Sequence, residues 1–264
     1  PYHGTTEGWY WPPDGGILLP AGPRLRRVEP AGRDEIVLDI SQSHPGCRLW
    51  QAHSSEDGQV HSATVERITV SGPYARIGTV VQRRGEQSFY PAEGALDESQ
   101  IDASGRVLLI KEEFQRDTKR LDNRIIDVET GRDRWLRDEE GALGHSDMGQ
   151  GYAVGENDQI GAGVHLDLAT LQQYPLFSTW NMGSVSLRGG RCLLSDATAL
   201  SLVDLDQRGV TKLLDHGMVV PPGTPPHERY NWQVSANLDP SGRVACFLSN
   251  FGGSRLDAYL LVLP

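Results

Sequence analysis

Apolar residues fall in short runs along this chain, about four to seven residues each, and Gly, Asp, Asn and Pro bound the runs. The runs are rich in Val, Ile, Leu and Tyr, which favour β-strands. No stretch of helical length shows a convincing 3.6-residue period. The pattern therefore predicts an all-β protein with no helix longer than about two turns.

One short phrase recurs between the runs. The segments DASGRVLLIKEE (102–113) and DPSGRVACFLSN (239–250) share Ser-Gly-Arg-Val at the same place. PPDGGILLP (12–20), SEDGQVHSATV (55–65) and RGGRCLLSD (188–196) are looser copies, and GENDQIGAGVHLDL (155–168) is interpreted as a degenerate one with Asn157 and Asp158 in the turn. The predicted turn glycines are Gly15, Gly58, Gly105, Gly190 and Gly242, and the mean spacing is about 45 residues.

The regular spacing predicts the fold. Each unit contains a strand, a Gly turn, a second strand, a loop, a third strand, a short turn and a fourth strand, which is typical of a propeller blade. We predict a single β-propeller domain of about six four-stranded blades, or seven if the chain is part of a longer one. The predicted blades cover approximately 8–41, 47–86, 96–137, 145–178, 181–215 and 230–264. A sandwich of two stacked sheets is the alternative, although its repeats are less regular in length.

The two ends of the chain bear on how the last blade is completed. The last unit ends on its third strand, AYLLVLP, and residues 1–7 precede the opening strand of the first unit. Completion of the last blade by this N-terminal segment is an open alternative, although seven residues leave little length for it. The chain begins with Pro1 and shows no charged-then-apolar leader, so the sequence leaves its localisation undetermined.

Composition excludes several function classes. The chain has 264 residues, a formal net charge of −10 and a pI of about 5.3, which disfavours binding to nucleic acid phosphates. No apolar stretch approaches the length of a membrane span, so we expect no membrane insertion. Three cysteines at wide spacing match neither a disulfide framework nor a zinc site, and Cys192 and Cys246 are predicted to be buried thiols.

The segment DPSGRVACFLSNFGGSRLDAYLLV (239–262) resembles the blade hairpin of TolB-type propellers, S/D-P-D/S-G-(K/R). As a pattern the resemblance covers nearly the whole chain. It implies the propeller fold, whose members bind proteins, peptides or sugars, and some of which are enzymes.

A second resemblance, in blade layout, is to the oligogalacturonate lyases, which are metal-dependent propellers. It rests on GHSDMGQGY, NMGSVSLRGGRCLLSD and NWQVSANLDPSGRVACFLSNF, and it implies metal-binding His residues near the start of these first strands. Only His145 matches; the other two segments offer Ser184, Ser186, Gln233, Ser235 and Asn237. Because a transition-metal site requires imidazoles or carboxylates, this set of residues weighs against lyase chemistry.

The predicted site is a ring of hydrogen-bonding groups around one mouth of the propeller channel. The first strand of each blade lines the channel, and aligning the units on the turn Gly places polar residues at or near its start. The ring consists of Tyr10, His53, Glu98, Gln100, His145, Asp147, Gln233 and Asn237. Such a ring suits a sugar, a peptide or a metal, although polar residues also line hydrated channels that bind no ligand.

Three smaller interpretations accompany this site. His145 and Asp147 would share one face of a strand, so that Asp147 either orients the imidazole or makes a structural hydrogen bond. Ser146 would point away, which argues against a Ser–His–Asp triad. The segment 111–123 is interpreted as a charged loop, and His44, His61, His165 and His216 are assigned to solvent or loops.

Since the sequence contains no complete catalytic constellation, we expect a non-catalytic binding or assembly module with a protein or carbohydrate ligand. A virion, a cell envelope or another large complex would suit such a module. The alternative is a metal-assisted, lyase-like enzyme that acts on carbohydrate at the channel mouth. We expect no cofactor, apart from a divalent metal under the alternative.

Overall fold

The computed structural model describes residues 16–29, 31–69, 74–116, 119–137, 143–157, 159–177, 184–225, 234–239 and 241–263. All regular elements among these residues are β-strands, which confirms the all-β prediction. The strands form six antiparallel sheets of three or four consecutive strands, and these sheets are the blades of a propeller. No helix in this described part is long and apolar enough to cross a membrane.

The chain divides into two compact units, and the unit Thr6–Ala142 contains the first three sheets. The first sheet is β1 (Ile17–Ala21), β2 (Arg24–Val28) and β3 (Asp34–Asp39). The second is β4 (Cys47–Ser54), β5 (Val60–Arg67), β6 (Ala75–Arg83) and β7 (Glu86–Pro91). The third is β8 (Ala95–Ile101), β9 (Val107–Arg116), β10 (Lys119–Asp127) and β11 (Arg132–Arg137).

The other unit, which includes Leu143–Pro264, contains the remaining three sheets. The fourth sheet is β12 (Ser146–Met148), β13 (Tyr152–Asn157), β14 (Ala162–Asp167) and β15 (Gln173–Phe177). The fifth is β16 (Ser184–Arg188), β17 (Arg191–Ser195), β18 (Ala199–Asp204) and β19 (Gly209–Asp215). The sixth is β20 (Ala236–Leu238), β21 (Val244–Ser249) and β22 (Asp257–Val262).

The repeated phrase forms the hairpin between the first two strands of a blade, as predicted. In the third sheet Gly105 has a φ of 71°, which only glycine adopts readily. The carboxylate of Asp102 accepts the backbone N–H groups of Arg106 and Val107 at 2.9 and 2.8 Å, and the Ser104 hydroxyl donates to it at 2.7 Å. The phrase therefore forms a hydrogen-bonded turn in which Asp accepts backbone N–H groups and Gly supplies the positive φ.

Two other copies use a similar arrangement. Asp239 accepts the backbone N–H groups four and five residues later at 2.7 Å, the Ser241 hydroxyl donates to it at 2.6 Å, and Gly242 has a φ of 67°. In the second sheet the hydroxyl of Ser55 takes the place of the carboxylate and accepts the N–H of Val60 at 2.9 Å. In these three turns the residue three before the glycine organises the hairpin, whereas Leu187 and Met148 occupy that position before Gly190 and Gly151.

Apolar cores lie between neighbouring sheets within each unit. One cluster joins the first and second sheets around Leu25, Leu49 and Val65, and another joins the second and third around Val60 and Ile110. In the second unit, clusters join the fourth sheet to the fifth and the fifth to the sixth. Strands buried on both faces explain the continuous apolar runs of the sequence.

Two sequence interpretations were wrong. The segment 158–161 joins β13 to β14, so it is not the first hairpin of the fourth blade; that hairpin turns at Gly151, with a φ of 78°, and Asp158 lies outside the described residues. The segment 111–123 is not a loop, because β9 and β10 pair through most of it. Two of its charges form ion pairs within the sheet, Lys111 with Glu98 and Glu112 with Arg124.

Of the two cysteines predicted to be buried, Cys192 is buried and Cys246 is half-buried. Burial raises the pKa of both thiols. Both therefore remain protonated and unreactive at neutral pH, in keeping with a structural role.

Candidate functional site

The described members of the predicted ring lie on or beside the first strands of their sheets. His53 is on β4, Glu98 and Gln100 are on β8, Asp147 is on β12, and Asn237 is on β20, while His145 directly precedes β12. Tyr10 and Gln233 lie outside the described residues. The first three belong to one compact unit and the others to the second, so their convergence at a single mouth stays a prediction.

Solvent access separates these residues into two groups. His53, Glu98, Gln100 and Asp147 are all at most 3% exposed. The His145 side chain retains 12% exposure, and Asn237 is half-buried. A ligand arriving from solution would therefore meet His145 and Asn237 first.

Glu98 is engaged with its own blade. Register pairs Glu98 on β8 with Lys111 on β9, and their side chains form an ion pair with only 4% and 6% exposure. The amide of Gln100 lies 3.5 Å from the same carboxylate oxygen and donates to it. Burying two charges is tolerated when each meets the other and further hydrogen bonds complete the pair. The carboxylate is thus held by the scaffold.

Asp147 links two neighbouring blades. One carboxylate oxygen accepts the N–H of Met148 at 2.8 Å, and the other accepts the N–H of Leu187 on β16, also at 2.8 Å. The guanidinium of Arg188 lies 3.4 Å from the second oxygen. The structure therefore supports the interpretation of Asp147 as a structural hydrogen-bond acceptor.

His145 approaches a different carboxylate. Its Nδ1 is 3.7 Å from Oε2 of Glu156, which projects from β13. Both side chains are largely buried, at 12% and 14% exposure. Since no sequence spacing marks two residues eleven positions apart as neighbours, the pairing became visible only through the hairpin of β12 and β13.

A set of buried serines joins the fifth blade to the sixth. The Ser184 hydroxyl accepts the N–H of Ala236 at 2.9 Å and contacts the Ser195 hydroxyl at 2.8 Å. The Ser186 hydroxyl accepts the N–H of Leu238 at 3.0 Å. In the described part of the chain one edge of β20 pairs with no strand, and these hydroxyls accept the N–H groups of Ala236 and Leu238 there. Ser184 and Ser186 are therefore engaged in joining blades.

Aligning the repeats on their turn glycine reveals a signal for two of the residues that connect neighbouring blades. Asp147 and Ser186 both lie four residues before a turn glycine, Gly151 and Gly190, and each accepts a backbone N–H from the following blade. The prediction relied on offsets of five and seven residues from the turn glycine. At the offset of four, Asp147 and Ser186 connect the fourth blade to the fifth and the fifth to the sixth, whereas the apolar residues Ile101 and Leu238 occupy this position in the third and sixth blades.

His61, assigned to solvent or a loop from the sequence, is buried between the first two sheets at 6% exposure. Burial, together with the positive charge of Arg27, lowers its pKa to about 4, and Asp57 opposes the shift. Its Nδ1 has no hydrogen-bond partner in the described part of the chain. The imidazole is therefore neutral at pH 7, and a proton placed on it would be costly.

Among the described residues, no three His, Cys, Asp or Glu side chains are grouped closely enough to hold a metal ion. Of the residues singled out in the three segments that resemble the lyases, the structure describes His145, Ser184, Ser186, Ser235 and Asn237. Because the hydroxyls of Ser184 and Ser186 bond to the backbone of β20, they do not form a donor set for a transition metal.

No protein-family model matches the sequence, and no curated protein matches it either. Solved structures do match the fold. An oligogalacturonate lyase in complex with manganese superposes with a TM-score of 0.68 at 14% identity, over 97% of this chain and 76% of the lyase. A protein of Agrobacterium tumefaciens described as TolB gives a TM-score of 0.58 at 15% identity, over 98% of this chain and 90% of that one.

A puromycin hydrolase also matches, with a TM-score of 0.62 at 15% identity, over 99% of this chain and 44% of the hydrolase. These identities are low, so the likenesses establish a common fold. The propeller prediction, and the resemblance to TolB and lyase propellers as folds, are therefore confirmed.

Proposed function

We propose that this chain is a non-catalytic binding module that presents side chains and loops from a rigid propeller to a protein or carbohydrate ligand. The observation that supports it best is the state of the two predicted ring carboxylates. Glu98 is neutralised by Lys111 inside its blade, and Asp147 binds backbone amides of its own and the next blade. An acid–base catalyst needs a carboxylate that can reach the proton it transfers, and both of these are held elsewhere.

The accessible groups favour recognition by hydrogen bonds. Asn237 carries a donor and an acceptor, is half-buried, and makes no side-chain hydrogen bond to another described residue. His145 adds an imidazole with partial exposure. Since the chain carries a net charge of −10, these groups suit a neutral or cationic ligand better than an acidic one.

The test is calorimetric titration of the protein with panels of neutral oligosaccharides and of unstructured peptides. We expect at least one ligand whose Kd rises about tenfold in Asn237→Ala, because one hydrogen bond in the complex is lost. Lys212→Ala is the matched control, since Lys212 is an exposed residue on the outermost strand of the fifth sheet and should leave Kd unchanged. If Kd is unchanged in both Asn237→Ala and His145→Ala, the predicted ring is not the binding site.

A metal-assisted, lyase-like enzyme is the second candidate. It is favoured by the fold likeness to the manganese-bound lyase and by the proximity of His145 to Glu156. On this hypothesis the purified protein would contain a stoichiometric divalent metal, and His145→Ala would lose it. Elemental analysis of both proteins decides the matter, since the binding-module proposal predicts equal, substoichiometric metal in the two.

A further inference from the structure

A row of charged side chains crosses the second sheet and reaches the third. Strand register sets Arg48 of β4 opposite Glu66 of β5, and Glu66 opposite Arg76 of β6. The Nε atoms of Arg48 and Arg76 lie 2.7 and 3.3 Å from the two carboxylate oxygens of Glu66. Nη1 of Arg76 lies 2.9 Å from Asp97 of β8. Because the Glu66 side chain is only 5% exposed, it holds both guanidinium groups in fixed positions.

Two aromatic rings lie against this row. Trp50 follows Arg48 by two positions on β4, and Tyr74 precedes Arg76 by two, so each shares a face of the sheet with its arginine. Cζ of Arg48 is 3.2 Å from the ring centroid of Tyr74 and 5.3 Å from that of Trp50. Tyr74 is nevertheless 42% exposed. The guanidinium therefore supports one face of the Tyr74 ring and leaves much of the residue open to solvent.

The polar members of the row retain unused hydrogen-bonding atoms. Among the residues that the structure describes, Nη1 of Arg48, Nη2 of Arg76 and Oδ2 of Asp97 have no hydrogen-bond partner. The side chains of Arg48 and Asp97 are 33% and 44% exposed, so a ligand in solution can reach them. The exposed tyrosine and the three polar residues around it are called the Tyr74 cluster: Tyr74, Arg48, Arg76 and Asp97.

Backbone bulges adjoin this cluster. Gln51 is the extra residue of a bulge in β4 and has a φ of 46°, although it is neither glycine nor exposed. Asp97 is the extra residue of a bulge in β8. The fourth, fifth and sixth sheets pair their first two strands without such a shift. Bulges redirect nearby side chains, and a left-handed φ outside glycine is costly, so this irregularity is typical of a functional site.

We propose that the Tyr74 cluster binds a neutral saccharide, with a sugar ring stacked on Tyr74 and its hydroxyls hydrogen-bonded to the guanidinium and carboxylate groups. A pyranose has an apolar C–H face and a rim of hydroxyls, which match an exposed aromatic ring beside fixed donors and acceptors. Two guanidinium groups face two carboxylates in the row, so the balanced charge favours a neutral sugar over an acidic one. The proposal rests on the binding function proposed above and gives it a ligand class and a location in the unit Thr6–Ala142.

Calorimetric titration with neutral tetrasaccharides of glucose, mannose and galactose, and with an oligogalacturonate of the same length, tests the proposal. We expect at least one neutral tetrasaccharide to bind, with a Kd that rises about tenfold or more in Tyr74→Ala. Tyr74→Phe keeps the ring and should change Kd by less than about threefold. Tyr174→Ala is the matched control, because Tyr174 is 39% exposed and lies in the fourth sheet, and it should leave Kd unchanged.

NMR of the saccharide adds a measurement on the wild-type protein. A sugar stacked on Tyr74 should show upfield shifts of its C–H protons from the ring current, and these shifts should disappear in Tyr74→Ala. Raising the salt concentration should leave Kd unchanged, since a neutral ligand makes no ion pair. Circular dichroism of each variant confirms that the propeller is intact.

Several results would overturn the proposal. These are an unchanged Kd in Tyr74→Ala, the absence of upfield shifts, or tighter, salt-dependent binding of the oligogalacturonate. A peptide, and no saccharide, that loses affinity in Tyr74→Ala would show that the cluster is a protein contact. If Asn237→Ala weakens a ligand and Tyr74→Ala does not, this proposal fails while the binding module stands. If neither saccharides nor peptides bind, both fail.

Discussion

Protonation of His61 should destabilise the protein in mild acid. The imidazole is buried between the first two sheets, and burial, together with Arg27, lowers its pKa to about 4 from an ordinary value of 6.5. Between pH 4 and pH 6.5, His61 is protonated in the unfolded chain and neutral in the folded chain. Stability is therefore fully present above pH 6.5 and is lost as the pH falls towards 4.

The size of the effect follows from the two pKa values. A tenfold change in proton affinity is worth about 1.4 kcal/mol, so the whole gap corresponds to about 3 kcal/mol, of which about 2 kcal/mol is lost between pH 7 and pH 5. This is a large fraction of the 5–15 kcal/mol that is typical of domain stability.

Urea unfolding at pH 7 and pH 5 measures this loss in the wild type and in His61→Gln. Glutamine is polar but does not titrate, so the variant should lose about 2 kcal/mol less than the wild type between the two pH values. The cost of the substitution itself is the same at both pH values, and the titration of the carboxylates is the same in both proteins. Both contributions therefore cancel when the two losses are compared. Equal losses in the two proteins would show that His61 is hydrated in the folded state and would refute the packing argument.

Three further predictions concern stability, measured as the free energy of unfolding in urea. Gly105→Val should cost about 1–3 kcal/mol more than Gly131→Val, because both glycines have a positive φ but a Cβ at Gly105 would lie 2.6 Å from Val60, whereas nothing lies within 4 Å at Gly131. Asp147→Ala should cost about 2–5 kcal/mol, since it leaves two buried backbone amides unpaired. Glu98→Gln should cost about 3–5 kcal/mol by stranding the charge of Lys111, and adding Lys111→Met should recover much of it.

The fold was predictable because its signal is local. A hairpin with positive φ requires glycine, and a short polar side chain three residues earlier bonds to the following amides, so the phrase at Asp102 recurs at Asp239. The first hairpin of the fourth blade was not recognised, since it turns at Gly151 without an Asp three residues earlier. The nearby Gly–Glu–Asn–Asp stretch offered a more familiar turn sequence and was chosen wrongly.

The state of the site residues depends on partners that the sequence does not reveal. The charge of Glu98 is balanced because strand register sets it opposite Lys111, although the sequence placed this lysine in a charged loop. Asp147 is occupied because β16, forty residues away, presents an amide to it. Residue type and offset identified polar positions on or beside the first strands, but register and packing between blades decide which of them remain accessible.

The central claim, that the propeller binds its ligand without catalysing a reaction on it, is tested most directly by a turnover assay. The protein should be incubated with neutral and acidic oligosaccharides, with and without added manganese, and the products analysed by mass spectrometry. We predict unchanged substrate under every condition, together with calorimetric binding of at least one saccharide or peptide that Asn237→Ala weakens. Formation of an unsaturated or hydrolysed product that disappears in His145→Ala would contradict the claim and establish the enzyme in its place.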